Sequence, residues 1–407
     1  MTRGVFINRL RLSDFRNYEA LALNFEHKHV VFTGHNGAGK TNLLEAISFL
    51  APGRGMRRSP YADVTRDRAG GPFTVFAEID GMAGNVNIGT SAGASPVSSN
   101  GMEADGSTGS IRRIKINGTA SSADALSDHL RVIWITPALD GLFTGPAAER
   151  RRFLDRMVLT IDPSHGRRAL NYENAMRSRN RLLADGLADP VWIEAVERQM
   201  AELGIAMDTA RRELLSLLAR EIDEDALDEA DTRHFPTARF ALEGFMDDVT
   251  LQQGSSLDRE ECYQALLERG RMRDAAAGRT LEGPHRVDLK VFHQAKNIEA
   301  ARASTGEQKA LLIGFMLAHA RLVARMTGHA PVLLMDEIAA HLDDKRRRSL
   351  FDLVDELGGQ AFMTGTDATM FGDLGARAQL FFVEDGAVTR LHDLPEAAIH
   401  ARQKKAM

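Results

Sequence analysis

Gly34-His35-Asn36-Gly37-Ala38-Gly39-Lys40-Thr41 satisfies every fixed position of the pattern G-x-x-x-x-G-K-[ST], and the residues on either side decide how it folds. Upstream, His29-Val30-Val31-Phe32-Thr33 is a short β-branched and apolar run; downstream, Leu43, Leu44, Ile47 and Leu50 recur at helical spacing. A Gly-rich turn with a chance Lys-Thr needs neither neighbour, whereas a phosphate-binding loop needs a buried strand before it and an amphipathic helix after it. The glycines let the backbone wrap round phosphate oxygens, so that N–H groups and the helix N-terminus face the anion. Lys40 adds a point charge for the β- and γ-phosphates, and the Thr41 hydroxyl is placed to ligate Mg²⁺. Gly34 through Thr41, with Asn42 beside them, are the expected nucleotide contacts.

The carboxylates such a loop requires come much later in the chain. Pro331-Val332-Leu333-Leu334-Met335-Asp336-Glu337 is an apolar strand ending in two acids. Ligands of open α/β sheets bind beyond the C-terminal ends of the strands, so Asp336 is placed to orient the Mg²⁺ shell and Glu337 to polarise the attacking water. Glu337, Asp336 and Lys40 are the expected catalytic residues, with Thr41 and Asp336 as metal ligands.

A third element, Ala303-Ser304-Thr305-Gly306-Glu307-Gln308, precedes the helical run Leu311, Leu312, Phe315, Met316 and Ala318. It resembles the ABC signature, with Ala303 where Leu is commonest and Thr305 in place of Gly. Ala339-Ala340-His341-Leu342-Asp343, directly after Glu337, resembles the D-loop of the same superfamily, Asp343 included. In ABC-type ATPases the signature clamps the γ-phosphate of the partner subunit. The resemblance therefore implies two ATP molecules sandwiched in a head-to-tail homodimer, with Ser304, Thr305, Gly306, Glu307 and Gln308 acting in trans. ATP then favours the dimer by mass action, and hydrolysis removes contacts made only in the closed state. Where the superfamily usually has a switch histidine, the chain reads Gln360-Ala361-Phe362-Met363-Thr364-Gly365-Thr366-Asp367. Thr366 or Asp367 would stand in, a weaker sensor that goes with slow turnover. No Q-loop glutamine is assigned.

A chain of 407 residues exceeds what one core usually supports, so two or three lobes are expected. Hydrophobic residues at 43% and charged residues at 26% are ordinary globular values, and a net charge of -5 excludes a global nucleic-acid signature. The single Cys262 excludes an internal disulfide framework and agrees with a reducing, cytoplasmic setting. Met1 to Phe6 lacks the apolar core of a signal peptide. Leu311 to Ala320 is too short to span a bilayer and carries His319, so it reads as a buried helix and no membrane partner is expected. Trp134 and Trp192 are expected as core anchors.

Strands are expected at Val5–Leu12, His29–Thr33, Pro72–Ile79, Asn85–Gly89, Arg112–Asn117 and Arg131–Ile135. Thr90 to Ser110 is rich in Gly, Ser and Ala and without large apolar residues, the composition of a mobile hairpin loop. From Ala147 to Arg273 the pattern is helical. Beyond Val287, strands and helices alternate, with a hairpin over Phe381–Leu391 turning at Asp385-Gly386. The fold class expected is α/β: an ABC-type ATPase head with a P-loop, a mostly parallel sheet and added antiparallel strands, over 1–135 and 280–407, interrupted by an α-helical lobe over 136–279.

From Lys40 to Ser304 is longer than in most transporter domains, and the insert shows none of the sustained heptads of long SMC-type arms. Three further stretches resemble the RecF family of DNA replication and repair proteins: Leu10 to Tyr18, Thr136 to Asp155, and Gly283-Pro284-His285-Arg286-Val287-Asp288-Leu289. Gly53-Arg54-Gly55-Met56-Arg57 does so too, Arg57 being either close to the nucleotide or a solvated loop residue. The resemblance implies a cytoplasmic ATPase that binds DNA in its ATP state, supports recombinase loading at gaps and stalled forks, and works with RecR and RecO. A nucleotide-binding subunit of a membrane transporter and an SMC-like tether are the alternatives.

From Gly145 to Arg181 the chain carries nine Arg and no Lys against four acids. Arg150, Arg151, Arg152, Arg177 and Arg181 are the candidate DNA-binding residues, suited to two-pronged phosphate contacts, and Arg177 and Arg181 share a helix face. The same stretch also reads as a solvated face that pairs with nearby acids such as those of Glu221 to Asp231. Without interleaved aromatics, sequence-independent duplex contact is favoured over base stacking.

Overall fold

The structure, a computed structural model, describes residues 4–391 apart from 68, 94–111, 187–188, 229–234 and 248–253. Along it run β1 (Phe6–Phe15), β2 (Tyr18–Asn24), β3 (His29–Thr33), α1 (Lys40–Ser48), α2 (Tyr61–Val64), β4 (Phe73–Gly81), β5 (Gly84–Ala92), β6 (Arg113–Ile116), β7 (Thr119–Ser121) and β8 (Val132–Ile135). A helical stretch follows: α3 (Ala147–Ile161), α4 (His165–Ala184), α5 (Pro190–Asp228), then β9 (Ala238–Glu243) and α6 (Ser256–Ala277). The rest comprises β10 (Asp288–His293), β11 (Ile298–Glu299), α7 (Thr305–Thr327), β12 (Val332–Met335), α8 (Asp344–Glu356), β13 (Ala361–Gly365), β14 (Ala378–Glu384) and β15 (Ala387–Arg390).

Two compact units result, 1–139 with 320–407, and 140–319. The first holds two six-stranded sheets. One, in the order β2-β1-β4-β5-β6-β7, is antiparallel throughout. The other, β15-β14-β3-β13-β12-β8, is parallel except for its β14–β15 edge. Strands β3, β12 and β13 are buried at every position, which is why their sequences are unbroken apolar runs instead of alternating ones. Phenylalanines 25, 32, 362 and 381 stack and edge against one another in this core. At the β14–β15 turn Asp385 (φ 47°) and Gly386 (φ 80°) both lie in the left-handed region, as a two-residue hairpin loop demands.

The second unit packs α4, α5 and α6 around Tyr172, Met200, Ile205, Tyr263 and Leu267. An unbroken helical pattern predicts no strand here, yet Ala238–Glu243 pairs antiparallel with all six residues of β10. Its faces alternate only weakly in burial, so the period-two signal is faint. β2 and β7 are likewise strands that the sequence pattern does not announce. The loop expected over Thr90–Ser110 begins with strand, since β5 runs to Ala92; residues 94–111 lie outside the described residues.

α7 is longer than its apolar centre suggests, and among the described residues it alone is long and apolar enough to cross a membrane; 72% of its most apolar window is buried, as in a core helix. Trp134 is a core residue, but Trp192 is not: it is 67% exposed in the first turn of α5, where Ile193 takes the inward position.

Candidate nucleotide site

The phosphate-binding loop leaves β3 at Gly34 and enters α1 at Lys40, so its N–H groups stand over the C-terminal edge of the parallel sheet. Two glycines are enforced by their surroundings. A Cβ on Gly34 (φ 147°) would lie 2.2 Å from the carbonyl oxygen of Val383, and one on Gly39 (φ 112°) 2.5 Å from Asn17 Nδ2. The β1–β2 turn thus braces the loop from outside: Asn17 Nδ2 donates to the Ala38 carbonyl at 3.3 Å and the Tyr18 hydroxyl to that of Gly39 at 3.1 Å. Burial holds the Tyr18 phenol protonated, its pKa pushed well up.

Lys40 lies back over the loop and donates to the carbonyls of Gly34 (2.7 Å) and His35 (2.8 Å). Burial lowers its pKa, opposed by the charges of Glu337 and Asp336. Those two acids are therefore close enough to form one electrostatic site with it. His35 and Asn36 lie on the open side of the loop. Asn42 donates to Asn17 Oδ1 at 2.7 Å and accepts from Arg57 at 2.7 Å. Arg57 also pairs with the fully buried Glu45 at 3.0 Å, which Arg16 grips by two bonds of 2.8 and 2.7 Å. Arg57 is thus an exposed loop residue tethered to Asn42 and Glu45.

Register explains how the acids reach the loop. β13 lies between β3 and β12, with Gly365 opposite Thr33 and Met363 opposite Met335, so the next residues, Thr364 and Asp336, meet at the strand ends. Asp336 Oδ1 accepts from the hydroxyls of Thr41 (2.9 Å) and Thr364 (2.8 Å), and no described residue engages Oδ2. A hard hydroxyl oxygen beside a carboxylate suits Mg²⁺, which binds through one or two carboxylates and keeps several waters. Thr364 Oγ1 also accepts the N–H of Glu337 at 2.9 Å. Glu337 has φ 52°, a sparsely populated conformation for a residue with a Cβ. Thr364 was not a sequence candidate. Of the two that were, Asp367 caps the following turn by accepting the N–H of Thr369 at 2.8 Å, and Thr366 is half-buried.

The signature segment opens α7 as a capping box: Ser304 accepts the N–H of Glu307, and Glu307 accepts the N–H (3.1 Å) and hydroxyl (3.0 Å) of Ser304. Lys296 first, then Ser304, hold the Glu307 carboxyl down at about 2. Gln308 Nε2 ties the preceding turn through the Ala303 carbonyl at 2.8 Å. Ser304, Thr305 and Gly306 are exposed. Asp343 caps α8 by accepting the N–H of Arg346 at 2.9 Å.

The arginines divide by environment. Arg150 makes a two-pronged pair with Asp288 (2.7 and 2.9 Å) and Arg151 donates to the Val287 carbonyl at 2.7 Å. Arg152 and Arg177 are exposed and pair with Glu149 and Glu173 on their own helices, whereas Arg181 is exposed without a side-chain partner among the described residues. Arg179, outside the candidate set, is fully buried between Glu197 and Asp274.

A P-loop at the edge of a parallel sheet, two acids on a neighbouring strand end, an antiparallel second sheet and a signature-like capped helix define the head fold of ABC- and SMC-type ATPases. The family described as the RecF/RecN/SMC N terminal domain matches residues 6–389. The chain belongs to the RecF family: the DNA replication and repair protein RecF of Rhizobium meliloti (strain 1021) is 58% identical over 390 residues, 96% of this chain and 100% of that one. RecF of Agrobacterium fabrum (strain C58) is 58% identical over 391 residues, again 96% of this chain and 100% of its own. Among solved structures, the recombination mediator protein RecF-ATPrS in the RecFOR pathway is similar in fold, with TM-score 0.79, 22% identity, 96% of this chain and 99% of the other covered. An SmcHead bound to the C-winged helix domain of ScpA aligns at TM-score 0.51 and 17% identity, over 97% and 99% of the two chains.

Proposed function

We propose that this chain is an ATP-dependent DNA-binding switch of replication and repair: two copies close head to tail around two ATP molecules, hold DNA while closed, and reopen on slow hydrolysis. The observation that supports it is the linked set Thr41, Asp336, Thr364 and Glu337 beside Lys40, in a chain of the RecF family. The loop from Gly34 to Thr41, steadied by Asn42, holds the phosphates. Thr41 and Asp336 would hold a Mg²⁺ ion, which would supply positive charge against the phosphates. Glu337 orients the attacking water and accepts its proton. Ser304, Thr305 and Gly306 of the second copy meet the γ-phosphate, Glu307 and Gln308 hold that segment in shape, and Asp343 lies at the joint. Arg151, Arg152, Arg177 and Arg181 contact the DNA backbone, with Arg150 fixing the start of α3 through its pair with Asp288. The setting is cytoplasmic, the partners are RecR and RecO, and the outcome is recombinase loading at gaps.

Sedimentation of the full chain with and without ATP and duplex DNA tests this. The expected result is a monomer without ATP, a doubled mass with it, and DNA co-sedimenting only with the doubled species; equal DNA binding without nucleotide sinks the switch.

A further inference from the structure

Four arginines meet two carboxylates where the N-terminal turn of α3 lies along residues 284–288. Arg150 takes Asp288 with two bonds, and Arg211, fully buried, takes Asp155 with two of 2.8 and 2.9 Å. Arg151 and Arg286 are left without a carboxylate of their own. Arg151 is fixed instead by a neutral acceptor, the Val287 carbonyl, which orients the guanidinium; Asp288 and Asp155 act on its charge only from a distance, each being bonded to another arginine. Arg286, the adjacent residue in the chain, is exposed and makes no ion pair among the described residues.

The turn that carries Arg286 is held from every side. Arg286 N–H closes it on the Gly283 carbonyl at 2.9 Å, and Arg211 donates to the Pro284 carbonyl at 2.6 Å. His285 is bracketed by the Tyr172 hydroxyl (3.0 Å) and the Thr280 carbonyl (3.1 Å). Burial, with the nearby Arg286 and Arg151 adding to it, lowers its pKa to about 4, so the imidazole brings no competing charge near neutrality. Arg151 is itself depressed, first by burial and then by Arg211 and Arg286, against the opposing charges of Asp288 and Asp155. Two planar cations with free donors, one held by the Val287 carbonyl and the other exposed on a fixed turn, match the oxygens of phosphate better than a lysine pair would.

We propose that Arg151 and Arg286 form an anion site for the phosphates of a nucleic-acid backbone. The proposal rests on the DNA-binding reading above and adds Arg286 to it, while assigning Arg150 to an internal pair. Each contact releases counterions, so each should contribute its own share of the salt dependence.

The test is fluorescence anisotropy of the full chain with a labelled duplex and ATP across a salt series, beside titration of a labelled ATP. Arg286→Gln, Arg151→Gln and the double variant are compared with the parent. Each single change should reduce the slope of log affinity against log salt by about 1, with ATP affinity unchanged. Arg286 is exposed and unpaired, so its variant decides the matter even if Arg151→Gln loses stability. Parent-like slopes in a chain that binds DNA overturn the site and leave the switch standing. A parent that binds no DNA overturns both. Loss of ATP affinity with an unchanged DNA slope assigns the site to a nucleotide phosphate and overturns the backbone as its ligand.

Discussion

Thr364 has one hydroxyl hydrogen and two neighbours that claim it differently. The oxygen accepts the Glu337 N–H, so the hydrogen goes to Asp336 Oδ1, and one side chain fixes both carboxylate residues. Glu337 needs that restraint, because a left-handed backbone away from glycine costs on the order of 1 kcal/mol and persists only where contacts hold it. Thr364→Val keeps the shape and removes both bonds, leaving the part-buried Glu337 N–H unpaired at a cost of about 1 kcal/mol. It should lower kcat for ATP hydrolysis about tenfold or more with little change in nucleotide affinity, and Thr364→Ser should restore most of the rate. Steady-state turnover beside equilibrium nucleotide binding checks this; parent-like kcat in the Val variant ends the positioning role. Lys40, Thr41 and Asp336 were legible in the sequence because each belongs to a local pattern. Thr364 was not, since its role follows from the register of β13 against β12, which no local spacing encodes.

At the scale of elements, legibility follows burial. β3, β12 and β13 are buried on both faces and read as apolar runs, whereas β9 is mostly half-buried and hides within a helical pattern. α7 was legible by its apolar centre, and His319 within it has a consequence for stability. Its ring is fully buried, with Nε2 2.8 Å from the Thr160 hydroxyl of α3. That hydroxyl donates to the Met157 carbonyl at 2.7 Å, so the ring is the donor and Nδ1 carries no proton. Burial, then Arg156, lowers its pKa from 6.5 to about 3. The unfolded chain therefore takes up a proton below about pH 6.5 that the folded chain refuses until about pH 3. Stability from this group is complete above that upper value and falls as the pH drops through the window, by about 1.4 kcal/mol per unit. His285, lowered to about 4, adds a second slope over the upper part of it. Urea midpoints measured between about pH 7 and 5 should convert to roughly 2 kcal/mol less acid loss in His319→Met than in the parent. Parallel curves for the two proteins refute it.

For the molecule as a whole, the chain forms two compact units, 1–139 with 320–407 and 140–319. Strand β10 pairs with β9, so the segment carrying Ser304 belongs to the same unit as α3 to α6, and the division falls inside α7 at 319/320. The loop around Lys40 lies in the other unit. A head-to-tail dimer would use this arrangement by joining the first unit of one copy to the second unit of its partner, and such a composite site can be tested by mixing. Lys40→Ala spoils the loop and leaves the signature intact; Ser304→Arg does the reverse, on an exposed residue whose change leaves the core alone. Each variant alone should lack ATP-dependent dimerisation and turnover. Mixed in equal amounts, half the pairs are hybrids, and each hybrid holds one site with Lys40 from the second variant and Ser304 from the first, so about a quarter of parent ATPase activity should return. If mixing restores nothing while both variants remain folded, the two motifs do not act across copies, and ATP cannot be what joins them.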